Sequence, residues 1–486
     1  MGFFTRKLKN SYFFGYFFWL SLALSLALDC FSAAAFSNVG WEGFCLIFLV
    51  VLAFFVTFIK FEYGVYIILL ELIVGGQGYL FFYSFYDFKI SLRLALFLAI
   101  FSAWLIKVVY QRDFLWLKDK RIMWFFLFFL FIAWAIIFPL VVHRPIADVF
   151  FDANGYLFFG LIGLFLTAKP ELKKVSQILL AGSLATSLKT IFVLFLFSQN
   201  YAEIGNSWLY HWLRDTRVAE ITLIFEPLYR VFFQSHLYNL LAILLVVAYI
   251  FLSKQKLSSH WQTFGLVIIL WLNFLTLLIS QSRGPWLAGI VAIIFLFILL
   301  FYYRVNFKKI LLFIFIWPLL IISCHLVINL IINNFSINLF YSRLGEGSNQ
   351  AGVSSRQAQI GPALAEIKES PFWGHGFGQT ITYLSSDPRI KNENNPTGLH
   401  TTYALELGYL DMVIKFGLLG VLAYFLFIDQ LIKKWRLLIF NNPQNYSWII
   451  GLLVILLVNI FSPYLNHPLG IGYLLLLYGL TNNYQK

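Results

Sequence analysis

The sequence predicts an all-α fold, a polytopic membrane bundle of about 12–14 spanning helices, since many of its apolar runs approach the roughly 20 residues that cross a bilayer. Two further observations agree. The 486-residue chain is 60% hydrophobic and 12% charged, with mean hydropathy +0.80, whereas soluble domains are about 45–50% apolar and about 25% charged. The apolar runs are also continuous rather than alternating, which disfavours a β-barrel.

The first run, 12–36, follows Arg6, Lys7 and Lys9. It is longer than the roughly 7–15-residue apolar segment of a signal peptide, so it is expected to stay as an uncleaved span, although Ser32-Ala33-Ala34-Ala35 imitates a cleavage site. Runs 43–60 and 63–82 meet at Lys60. Runs 92–110 and 122–142 enclose Lys107, Arg112, Lys118, Lys120 and Arg121. Runs 153–168 and 176–198 enclose Lys169, Lys173 and Lys174. Runs 236–253 and 261–280 flank Lys254 and Lys256, and runs 285–303 and 308–333 flank Arg304, Lys308 and Lys309. The last three runs are 415–432, 447–462 and 468–482, with Lys433, Lys434 and Arg436 in the first gap and Lys486 at the end. Several runs are short enough to be re-entrant or half-buried.

Alternation tests this order. With the N-terminus in the cytoplasm, nearly every dense Lys/Arg cluster falls on the cytoplasmic side, as the positive-inside rule requires. Both termini are then cytoplasmic. The outer segments are 37–42, 83–91, 143–152, 199–235, 281–284, 334–414 and 463–467. The net charge of +13, from 35 Lys and Arg against 22 Asp and Glu, has its source in these loops. No basic stripe with a binding-fold motif accompanies it, so nucleic acid is not an expected partner. Cys30, Cys45 and Cys324 stand singly in apolar runs and read as packing residues.

The chain reads as one integral domain: a bundle over 1–333, a large extracytoplasmic loop subdomain with short helices over 334–414, and C-terminal spanning helices over 415–486. There is no internal repeat. The outer segment 199–235 carries Trp208, Tyr210, His211, Trp212, Arg214 and Arg217, which suit an interfacial helix. In the second long segment, Ser354-Ser355 offers an N-cap and Arg356 to Ser370 reads as a helix ended by Pro371. Phe372-Trp373-Gly374-His375-Gly376-Phe377-Gly378 reads as a Gly-rich turn. Thr401 to Lys415 reads as another helix, in which Asp411 and Lys415 are spaced to pair.

Three outer residues carry candidate chemistry. Arg283 follows an apolar span and precedes Pro285, a good helix starter; it reads either as a cation reaching lipid phosphates or as a fixed guanidinium for a diphosphate, which its planar fork binds bidentately. Arg356, placed in the first turn of its helix, would add to the anion preference of the backbone N–H groups there; alone it is a solvated surface Arg. His400 sits at the water–membrane boundary, where a neutral imidazole can take a proton; alone it is a surface His, and His143, His211, His236, His375 and His467 share its side. Glu71, deep in an apolar run, needs a partner or a proton, and Arg93 is the expected one. Lys189 is equally deep and has no evident partner. Walker loop, dinucleotide fingerprint, HExxH, Cys/His cluster and Asp-x-Asp signature are all missing, so no cofactor, nucleotide or catalytic metal is expected.

Taken together, the outer motifs resemble the O-antigen ligase and O-antigen polymerase family of bacterial membrane glycosyltransferases, which includes bacterial O-oligosaccharyltransferases. Ile279-Ser280-Gln281-Ser282-Arg283-Gly284 is similar to the family's Ser-Arg-Gly turn. Ser354-Ser355-Arg356 with Pro371-Phe372-Trp373-Gly374-His375-Gly376-Phe377-Gly378 is similar to its Arg helix and Pro-x-x-Gly-x-Gly turn. Leu399-His400-Thr401-Thr402-Tyr403, followed by Phe416-Gly417-Leu418-Leu419-Gly420, is similar to its His-Asn-x-Tyr segment and Gly-x-x-Gly helix, with Thr401 in place of Asn. Arg230 with Ser235-His236-Leu237-Tyr238-Asn239 is a weaker match. The likeness covers residues 225–430.

The resemblance implies an inverting transfer of a glycan from a polyprenyl (undecaprenyl) diphosphate carrier to an acceptor hydroxyl on a glycan or glycolipid, at the outer face of the bacterial cytoplasmic membrane and among its lipids. Arg283 and Arg356 would hold the diphosphate, Arg230 and Tyr403 would help bind substrate, and His400 would take the proton. The diphosphate is already a good leaving group, so neither nucleotide nor metal is required. A polymerase using the same donor stays open beside a ligase, as does a lipid-linked sugar transporter, although transporters concentrate ionisable groups near the midplane and show repeated halves.

Overall fold

Apolar runs in lipid must satisfy their backbone internally, which leaves helices as the dominant element. The computed structural model describes residues 11–38, 40–85, 88–119, 121–254, 260–334, 351–387 and 390–481. In chain order the helices are α1 (Tyr16–Phe36), α2 (Trp41–Ile59), α3 (Phe61–Val74), α4 (Leu92–Gln111), α5 (Arg121–Val141), α6 (Ile146–Ala153), α7 (Ile162–Ala168), α8 (Leu172–Ser198), α9 (Trp208–Asp215), α10 (His236–Leu252), α11 (His260–Ser280), α12 (Arg283–Tyr302), α13 (Phe307–Ile332), α14 (Ala351–Glu369), α15 (Gly408–Asn441), α16 (Tyr446–Val458) and α17 (Pro468–Leu480). Three antiparallel hairpins interrupt them: β1 (Phe82–Phe85) with β2 (Phe88–Ser91), β3 (Glu220–Phe225) with β4 (Leu228–Phe232), and β5 (Ile381–Leu384) with β6 (Leu399–Thr402).

Ten helices among the described residues are long and apolar enough to cross a membrane, and three shorter apolar ones accompany them. The fold is the expected polytopic bundle. Burial sorts the helices into inner and outer ones. α3, α10 and α17 are buried along nearly their whole length. α2 and α13 instead expose Phe44, Phe48, Phe55, Phe315 and Leu319 around their outer faces, apolar surface suited to lipid. α3 has 14 residues, about 21 Å at 1.5 Å per residue, which is short of a bilayer core. The chain from Gly75 to Phe81 continues without regular helix and is mostly buried, which is tolerated because protein surrounds it.

Close packing around α8 depends on small and hydroxyl side chains. Ser183, Thr186, Ser187 and Thr190 are fully buried, and a Cβ on Gly182 would come 2.8 Å from Ile73. Small residues let helices approach where hydrophobic driving force between them is weak. Buried charges are paired. Glu71 and Arg93 meet at 2.9 Å, as expected. Lys189, which lacked an evident partner in the sequence, bonds Asp29 at 2.7 Å and the Val74 carbonyl at 3.3 Å.

Three expectations are corrected. Residues 399–402 form a strand, and the following helix begins at Gly408 rather than Thr401. The β-branched Thr401 pairs with Thr382 across the hairpin, hydroxyl to hydroxyl at 2.8 Å, a cross-strand contact that favours the sheet. α14 is already helical at Ala351, so Ser354 and Ser355 are not its caps. Their hydroxyls bond Ser386 at 2.6 Å and Tyr383 at 3.2 Å instead. Arg356 therefore lies in the second turn, away from the helix N-terminus. Finally, 199–235 contains the interfacial-type helix α9, with Trp208 and Trp212 stacked, but also the unforeseen hairpin β3–β4. The sequence 335–350 lies outside the described residues.

Candidate functional site

The Gly-rich turn is a latch on a broken helix. Within α15, Gly417 adopts φ 66° and ψ 179°, a conformation natural to glycine alone. The break frees backbone groups, and the turn satisfies them: His375 and Gly376 donate to the carbonyls of Ile414 and Lys415 at 2.6 and 3.0 Å, while Leu418 and Leu419 donate to those of Pro371 and Phe372 at 2.8 and 3.3 Å. A Cβ on Gly417 would overlap the Phe372 carbonyl. Arg144 closes the turn from outside. Its guanidinium donates to the carbonyls of His375 at 2.7 Å and Phe377 at 3.3 Å, and to the Gln379 side chain.

Beyond the latch, α14, β5 and β6 enclose a second small core of Ala363, Ile381, Tyr383, Leu405 and Ile414. Tyr383 is its hinge. Its hydroxyl meets Ser355 at 3.2 Å and accepts from Gln359 at 3.1 Å, the two residues flanking Arg356 on α14. Its ring stands edge-on to His400, 5.7 Å between centroids, directly opposite it in the hairpin. One tyrosine therefore ties the Arg356 helix to the His400 strand. Both side chains are half-buried. The Arg356 guanidinium pairs with Glu406 at 2.9 Å, and Gln359 also holds the Glu406 N–H at 3.1 Å.

Arg283 is half-buried in the first turn of α12, and Pro285 follows it there, as the sequence suggests. The turn it occupies is held from one side by Arg230, whose Nε donates to the Ser280 carbonyl at 3.0 Å and whose guanidinium stacks on Phe232. Arg230 thus anchors β4 to the end of α11. From the other side, a Cβ on Gly284 would touch Phe461 and Val458 at 3.9–4.0 Å, and one on Gly408 would meet the Asn459 carbonyl at 2.6 Å. The Arg283 turn and the start of α15, two residues past Glu406, thus lean on the same turn after α16. The weaker motif around His236 is interior: His236 bonds Thr190 at 3.0 Å, and Asn239 bonds Ser187 and Asn273.

Beneath this surface lies a buried charge cluster that sequence reading found only in part. Lys415 bonds Asp411 at 2.7 Å, as the i,i+4 spacing predicts, and also Asp152 at 2.5 Å. Asp152 accepts from the Gly378 N–H at 2.8 Å, and Asn466 donates to Asp411 at 2.5 Å. Lys415 thus sits between two carboxylates close to Tyr403. Partial burial first, then Asp152 and Asp148, raise the Tyr403 hydroxyl above its ordinary pKa, so Tyr403 remains an O–H donor across the physiological range. Arg144 and Asp152 carried no local signal, because their partners lie more than 200 positions away.

For a cation, the described residues bring together Glu366, Glu369 and His375, with ligand atoms within 4.8 Å of one another. His375 Nε2 is already bonded to the Glu366 carbonyl at 2.8 Å, and Glu366 accepts from Gln379 at 2.6 Å. These groups brace the Gly-rich turn.

Comparison with known proteins agrees with the motifs. A family model described as O-antigen ligase matches residues 268–425, a stretch that contains Arg283, Arg356 and His400, and supports the O-antigen ligase family for this chain. No curated protein matches the chain.

Proposed function

We propose that this chain is an O-antigen ligase-like glycosyltransferase of the bacterial cytoplasmic membrane, which transfers a glycan from a polyprenyl diphosphate carrier to an acceptor hydroxyl at the outer face. The observation that carries this reading is the tie through Tyr383: it joins the helix that bears a half-buried guanidinium, Arg356, to the half-buried imidazole of His400. Arg283 stands on a turn that leans on the same segment after α16 as the start of α15, and the family match spans all three.

In this reading the acceptor oxygen attacks the anomeric carbon from the face opposite the carrier. The bond from that carbon to the phosphate oxygen breaks, the electron pair leaves on the lipid diphosphate, and the acceptor proton passes to His400. The configuration inverts. Arg283 and Arg356 stabilise the charge that grows on the diphosphate, a task suited to preorganised cations. In the same reading Tyr403, held as a donor, hydrogen-bonds a substrate oxygen.

Purified full chain, given lipid-diphosphate glycan and an acceptor, should transfer the glycan. His400→Ala should lower turnover by about 10²–10⁴-fold, the usual worth of a general base, at unchanged protein level. Arg283→Lys should fall well below wild type, since the charge stays but the bidentate fork is lost. Wild-type turnover in His400→Ala would remove the base role, and wild-type turnover in Arg283→Lys would remove the bidentate one.

A further inference from the structure

A basic pocket stands apart from the three candidate residues. Its volume is about 180 Å³, and Lys89, Arg93, Arg217 and His467 line it, with no carboxylate among the described residues of its lining. Arg93 is 6% exposed. Its Nε bonds Glu71 and its Nη2 donates to the Gly76 carbonyl at 2.9 Å. Its Nη1 is buried with no hydrogen-bond partner among the described residues. That guanidinium is fixed in the wall, and the exposed cations Lys89 and Arg217 beside it call for an anionic ligand.

The rim has the opposite character. Phe150, Phe151 and Leu157 also line the pocket and are 36%, 46% and 37% exposed. A ligand seated here therefore meets guanidinium at its head and apolar surface along its tail. On the other side the pocket shares Gln77 and Arg217 with a larger cleft of about 700 Å³, lined by Tyr210, Glu220 and Thr222 among others. That cleft gives a polar head group room beyond the phosphate. Arg217 is held at the junction, stacked over Tyr79 at 4.9 Å, while its carbonyl accepts from the Gln77 N–H at 3.3 Å.

We infer that this pocket binds the phosphate of an anionic lipid head group, with the exposed Arg217 and Lys89 as the phosphate donors and Phe150, Phe151 and Leu157 against the acyl chains. The site is separate from Arg283, Arg356 and His400 and does not rest on the transferase reading. Arg suits such a site because its fork matches phosphate geometry.

Native mass spectrometry of the full chain released from neutral detergent tests it, with phosphatidylglycerol, phosphatidylcholine and inorganic phosphate as the probes. The first phosphatidylglycerol should bind at least tenfold more tightly than phosphatidylcholine, and the Arg217→Ala/Lys89→Ala double variant should lose that preference. The milder Arg217→Gln should weaken it several-fold, which guards against a folding defect in the double variant. Arg436→Ala, far along α15, and His400→Ala should both keep it. Competition by inorganic phosphate at equal concentration would keep the phosphate site and assign its ligand to solution instead of the bilayer. A phosphatidylglycerol preference unchanged in both Arg217 variants, or absent from the wild-type chain, would overturn the proposal.

Discussion

Arg356 and Glu406 lie 2.9 Å apart with side chains 33% and 40% exposed. An ion pair this accessible is worth about 0–1 kcal/mol, far less than two charge-assisted bonds to a diphosphate. In the proposed reading, Glu406 would therefore orient the guanidinium and yield to a more highly charged substrate. Glu406→Gln should lower KM for the lipid-diphosphate donor several-fold in initial-rate assays, with stability within about 0.5 kcal/mol of wild type. A raised KM would show instead that the carboxylate works on the substrate. At this scale the sequence was informative where a polar residue interrupts apolar helices. Arg283 stood out for that reason and Glu71 announced its need for Arg93, whereas Arg356 and His400 stood out through the motifs around them in a long polar segment. Asp152 and Arg144 did not, since each acts on a segment more than 200 positions away. The serines before Arg356 looked like caps but serve Tyr383 and Ser386.

Among the elements, the break in α15 organises the outer subdomain. Its left-handed Gly417 exposes carbonyls at 414 and 415 and amides at 418 and 419, and the Gly-rich turn takes all of them. Gly417→Ala would put a Cβ into the Phe372 carbonyl and add roughly 1–2 kcal/mol of left-handed strain. The expected outcome is loss of the turn: protease sensitivity near 371–378 rises and transfer falls, while the spanning helices persist by circular dichroism. An unchanged digest would count against the latch. The Gly-rich sequence made the turn legible, but its receptor was not, because nothing local marks Gly417 as non-helical. Strand β6 was read as helix for a related reason. Its partner β5 lies beyond the long connection 385–398, too far for a short-turn hairpin signal.

Across the whole molecule, the part of α15 beyond the break at Gly417 runs 24 residues, 418–441, about 36 Å at 1.5 Å per residue, longer than the roughly 30 Å hydrocarbon core. We therefore expect its two ends to lie at opposite faces. In a chain with Cys30, Cys45 and Cys324 replaced by Ala, Thr401→Cys should react with a membrane-impermeant maleimide in intact cells, and Lys433→Cys only after permeabilisation. Both positions are exposed. The reverse pattern would put the candidate site in the cytoplasm and end the transferase reading.

The sequence by itself determined that this is a helical membrane bundle, where its long apolar helices lie, and which family the motifs resemble. Those properties follow from residue type and local spacing, because transfer into lipid depends on each segment's own composition. Only the tertiary structure decided that Tyr383 joins the Arg356 helix to His400, that Lys415 sits between Asp411 and Asp152, that Lys189 has Asp29, and that Lys89, Arg93 and Arg217 line one pocket. These depend on segments remote in the chain converging in space, and a buried polar group chooses its partner by proximity in the fold, not by position in the sequence.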